Sequence, residues 1–156
     1  MTATGARRIE AMGLGVAPPS GWEATIYRRS PAAGERTFPV LHAATIPIPA
    51  ERGDYGGGVV ELLGPADVFV GVLEFGPEAA LSPLFKPAAA IPALTPDAFR
   101  PRQLQRVIRG QAGAQRFVAV QDRAFCLYAV IGSIANRVPL AGRANQLIGA
   151  LSVQHL

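Results

Sequence analysis

The chain is short of the residues most chemistry needs. It has one cysteine, Cys126, one lysine, Lys86, and two histidines, His42 and His155, in 156 residues. A single cysteine excludes an internal disulfide and any multi-cysteine zinc site. It fits a reducing compartment, where disulfides are rare, so a cytoplasmic location is expected. Two distant histidines and one cysteine match no metal-ligand spacing, and no Asp-rich calcium loop occurs. No metal or cofactor is expected. A G-x-S-x-G nucleophile turn is absent too: Ser133 follows Gly132, but the second glycine is missing. Glycines 56 to 58 are not followed by Gly-Lys-Ser/Thr, so they make no P-loop, and no dinucleotide fingerprint is present. An enzyme is not expected from this set.

Long apolar runs are missing as well. The longest nearly apolar stretch, 124 to 135, is far below the roughly 20 residues a bilayer span needs. Arg7 and Arg8 lead into no apolar segment, so the first residues do not read as a secretory leader. Charged residues are only 17%, against a usual quarter.

Apolar residues, by contrast, reach 49%. That excludes a disordered chain, which needs low hydrophobicity and high net charge. A chain of this length is one domain and buries enough surface for a core without disulfides. The apolar share also points to self-association, because a monomer leaves few large apolar patches exposed. The net charge of +4 is carried almost entirely by arginine and is too small to imply nucleic acid by itself.

The spacing predicts a loose tail over 1–17 and one α+β domain over 18–156. After the turn Pro18-Pro19-Ser20-Gly21, residues 22 to 28 alternate as a half-buried strand. Residues 39 to 48 are β-rich and closed by prolines 47 and 49. Residues 59 to 63 fit one or two helical turns. Residues 67 to 75, apolar on both faces, predict a central strand. Prolines at 77, 83, 87, 92, 96 and 101 forbid a long helix, so this stretch reads as a loop crossing the sheet. Pro101 then suits the start of a short helix through Arg109. Residues 115–121 and 124–132 predict a hairpin joined at Asp122-Arg123. Leu140, Ala144, Leu147, Ile148 and Leu151 recur at helical spacing and predict a C-terminal amphipathic helix. Strands following strands favour a mostly antiparallel sheet with short helices and that terminal helix packed on it.

The Pro19 to Trp22 entry, the closing hairpin and the terminal helix together resemble the Mog1/PsbP-like sandwich, over residues 18 to 151. The chain also resembles small actinobacterial proteins of unassigned function. Its first residues do not read as the lipobox and leader of the family's lipoproteins, so an extracytoplasmic role is not expected. The resemblance implies a non-enzymatic binding or assembly module, and no family site residue carries over.

Several residue groups admit two readings each. His42, in a strand, is either a catalytic base or a hydrogen-bonded structural ring. Cys126 is either reactive or, flanked by Phe125 and Leu127, an inert small hydrophobe. Glu61, Asp67 and Glu74 are either a carboxylate cation site or charges at element ends. If 101–109 is helical, Arg102, Arg106 and Arg109 share one face and offer an anion site, for nucleic acid or a phosphorylated ligand. The alternative is a solvated helix face. Leu81, Leu84, Phe85 and Ile91 either cover the sheet or form an apolar docking surface. Two functions stay open: a protein-interaction module, self-associating into a homo-oligomer or bound to a protein partner, and an anion-binding module.

Overall fold

The computed structural model describes residues 7–156. It is α+β, as the element order predicts. Two sheets carry nine strands among the described residues. They are β1 (Ile9–Ala11), β2 (Leu14–Val16), β3 (Glu23–Arg28), β4 (Pro39–Ala44), β5 (Val68–Phe75), β6 (Lys86–Pro87), β7 (Ala112–Val120), β8 (Arg123–Ile131) and β9 (Leu151–Val153). One helix, α1 (Arg137–Ile148), precedes β9. The larger sheet runs β3-β4-β5-β8-β7-β6, and the smaller runs β1-β2-β9. All pairs are antiparallel except β6 with β7. No helix is long and apolar enough to cross a membrane among the described residues.

β5 and β8 lie at the centre of the larger sheet, and both are apolar on both faces because both faces are covered. One face presents Leu41, Val70, Val72, Phe125 and Leu127. The apolar side of α1, the smaller sheet and the segment bearing Ile91, Leu94 and Phe99 close over it. The other face presents Val40, Phe69, Leu73, Cys126, Tyr128 and Val130 beneath the loop that follows β4. Register sets one row across that face: Thr25, His42, Gly71, Tyr128 and Gln115 lie opposite one another in turn.

Four expectations need correction. The tail predicted over 1–17 contains β1 and β2, because Leu14 and Val16 pair with β9 and are buried; residues 1–6 lie outside the described set. The helix predicted over 101–109 is a single 3-10 turn, Pro101–Gln103. The residue just before it is tied to the sheet: Arg100 and Gly113 exchange N–H···O bonds of 2.8 and 3.0 Å. Tyr128 Oη then accepts the Gln105 N–H at 2.8 Å. The β7–β8 loop is Gln121-Asp122, not Asp122-Arg123, since Val120 pairs with Arg123. Leu151 belongs to β9, not to α1, which stops at Ile148 before Gly149.

Candidate functional site

His42 is fully buried and spoken for on both nitrogens. Nε2–H donates to Asp54 O at 2.7 Å, and Nδ1 accepts from Arg52 Nε at 2.8 Å. That pattern fixes the neutral Nε2–H tautomer. Burial, helped by Arg52, pushes its pKa down to about 4, against the opposing pull of the Asp54 carbonyl. Arg52 also lies over the Tyr27 ring, 4.8 Å from its centroid. The Tyr27 hydroxyl donates to Asp54 at 2.7 Å, and Arg29 sits 3.2 Å from the same carboxylate. Burial and the Asp54 carboxylate raise the Tyr27 pKa, so the phenol stays neutral. The whole set pins the glycine-rich loop to β3 and β4. Gly56 completes the fit: at φ +83° it lies so close to Phe69 that an added Cβ would sit 2.6 Å from the ring. A base with both nitrogens committed and a depressed pKa has no free site for a substrate proton.

Cys126 is buried in the sheet, and burial raises its pKa. Its Sγ accepts from Gln115 Nε2 at 3.3 Å. The predicted carboxylate trio is dispersed into local roles. Glu61 accepts the Gly58 N–H at 2.6 Å, Asp67 accepts from Thr45 Oγ1 and the Gly64 N–H at 2.9 Å each, and Glu74 pairs with Arg123. Among the described residues no cluster of His, Cys, Asp and Glu could hold a metal ion.

The arginine stripe does not form, because the helix that would align it is absent. Arg102, Arg106 and Arg109 are all exposed on an irregular segment, and Arg106 reaches Glu61 only at 4.0 Å. Val107, which a helix over 101–109 would have turned away from the arginines, is 72% exposed. The four apolar loop residues split. Phe85 and Ile91 are buried and belong to the core: Phe85 packs edge-on to Phe117 at 5.5 Å. Leu81 and Leu84 are exposed, at 88% and 57%. Only these two are available for docking.

A cleft of about 680 Å³ lies at one end of the larger sheet. Its apolar wall includes Met12, Phe38, Pro77 and Leu156. Three arginines, Arg28, Arg36 and Arg123, face three carboxylates, Glu35, Glu74 and Asp122. The strongest of these charges are paired across the cleft's inner end. Arg123 Nε and Nη2 meet the Glu74 carboxylate at 3.0 and 2.5 Å, with both side chains at least nine-tenths buried. Arg123 also donates to Met12 O at 2.9 Å and to Gln154 O at 3.1 Å, tying the smaller sheet to the larger. The 3-10 turn Pro77–Leu81 leaves one side of the cleft and carries Leu81 outward. The sequence offered no sign of this cleft. Its parts come from distant segments, and an arginine opposite a glutamate across two strands has no local pattern.

A second hollow, about 380 Å³, lies on the opposite face between the glycine-rich loop and residues 104 to 111, with Tyr128 at its wall. No family model matches the chain, and no curated protein or solved structure matches it either.

Proposed function

We propose that the protein is a non-catalytic interaction module that receives a segment of a protein partner in the end cleft. The observation that carries this reading is the mixed apolar and charge-balanced wall of that cleft, from whose edge at Pro77 the segment bearing two exposed leucines departs. The mixed wall of the cleft balances its charges, which suits a peptide-like surface better than an anion. Leu81 and Leu84, a few residues beyond Pro77, offer exposed apolar anchors on a proline-stiffened segment, where little conformational entropy is lost on docking. The committed state of His42 and Cys126 supports a binding role over a catalytic one. The resemblance to the Mog1/PsbP-like sandwich implies the same class of role.

Native mass spectrometry of gently purified protein tests the idea. The wild type is expected to carry a bound protein or a second copy of itself. The variant Leu81→Glu/Leu84→Glu, changed only at exposed positions, is expected to fold normally and run bare. A wild type that is monomeric and bare under the same conditions would end this reading.

A further inference from the structure

The second hollow is separate from the partner cleft and holds the one buried side-chain polar atom without a partner among the described residues. Gln111 is 4% exposed; its Nε2 donates to Val60 O at 2.8 Å, but its Oε1 receives nothing. An orphaned amide oxygen costs on the order of 1–3 kcal/mol, and a fold that keeps one has a use for it or a guest that satisfies it. Tyr128 supplies the complementary half. Its oxygen accepts from the Gln105 N–H, and its own proton has no acceptor among the described hydrogen bonds. Tyr55 stands edge-on to Tyr128, ring centroids 5.5 Å apart, and gives an aromatic wall.

We propose that this hollow binds a small neutral molecule with an amide or lactam edge, its N–H directed to Gln111 and its carbonyl to Tyr128. The charge at the wall is already accounted for. The Asp54 carboxylate is engaged by Tyr27 and Arg29, and Glu61 holds the Gly58 N–H with Arg106 4.0 Å away. Arg106 is exposed and keeps its own hydration, so a charged guest gains little from it and would leave its solvation behind. The volume falls at the small end of the roughly 300–1,000 Å³ common for ligand pockets, which suits one or two rings. Burial raises the pKa of both Tyr55 and Tyr128, so both stay neutral; the Tyr55 hydroxyl is turned to Cys126, which leaves Tyr128 as the donor.

The test is an NMR titration of the whole chain with benzamide, δ-valerolactam and uracil, with benzoate as the charged control. The Gln111 side-chain amide and the Gln105 N–H are the reporters. At least one neutral probe is expected to shift both saturably, while benzoate shifts neither. Gln111→Leu and Tyr128→Phe are each expected to weaken that probe about tenfold, the loss of one hydrogen bond. Leu104→Trp, which fills the hollow and leaves both polar groups in place, is expected to block it. No shift with any of the three amides overturns the proposal and leaves Gln111 to a trapped water. Equal binding of benzoate, or affinity indifferent to the three substitutions, overturns it too.

Discussion

A histidine enclosed by Tyr27, Phe69 and an arginine must stay neutral, and His42 shows what that demands of the fold. Its pKa lies near 4 in the folded chain and near 6.5 in the unfolded one. The unfolded state therefore binds the extra proton between those values. The stability tied to the neutral ring is complete above about pH 6.5. It is lost progressively as the pH falls toward 4, for a total of about 3 kcal/mol. Urea midpoints measured at pH 7.5 and 4.5 are expected to drop accordingly. In His42→Gln, which keeps one donor and one acceptor but does not titrate, that part of the drop should vanish. An unchanged pH dependence in the variant would assign it to other groups. The sequence allowed a hydrogen-bonded structural ring at position 42. It did not disclose the partners, because Arg52 and Asp54 reach it through a loop whose course depends on Gly56.

At the scale of single elements, legibility followed burial symmetry. β5 and β8, covered on both faces, carry apolar runs interrupted only by Glu74 and Arg123, and these are readable directly. The 101–109 segment failed because its spacing is helical while Gly113 anchors Arg100 just before it and Tyr128 takes the Gln105 N–H within it. The hairpin between β7 and β8 was readable, but its loop position was not. Gln121 and Asp122 both adopt left-handed φ, 52° and 60°, the arrangement of a type I′ turn without its favoured Asn-Gly. The long nine-pair ladder holds them there. Such φ values cost non-glycine residues on the order of 1–2 kcal/mol each. Asp122 lies 3.4 Å from His155 Nε2, with both side chains exposed, so little is lost with it, and Gln121→Asn/Asp122→Gly is expected to raise stability by about 1 kcal/mol. A thermal melt that moves down instead would show that the loop is not strained.

For the molecule as a whole, the joint between the two sheets is Arg123. Its guanidinium holds Glu74 in the larger sheet and the carbonyls of Met12 and Gln154 beside the smaller one. Removing one partner of a buried pair leaves an uncompensated charge, so Glu74→Ala is expected to cost about 3–5 kcal/mol. That is a large share of the roughly 5–15 kcal/mol typical of a domain. Glu74→Leu with Arg123→Met, which removes both charges, is expected to recover most of it. Urea denaturation of the two variants decides this. Equal losses would mean that the carbonyl bonds of Arg123, rather than its charge pair, hold the sheets together.

The pairing of β2 with β9 has a further consequence, for the birth of the chain. Leu14 lies opposite Val153, so β2 must wait for β9, which is made after every other described strand. Closing so long a loop is slow, and it comes after the local hairpins have formed. Until the ribosome releases β9, the β2 edge stands open, and Leu14 and Val16 lack the strand that pairs with them. A chain ending at residue 149 should mimic that nascent state and bind a hydrophobic dye that the full chain ignores.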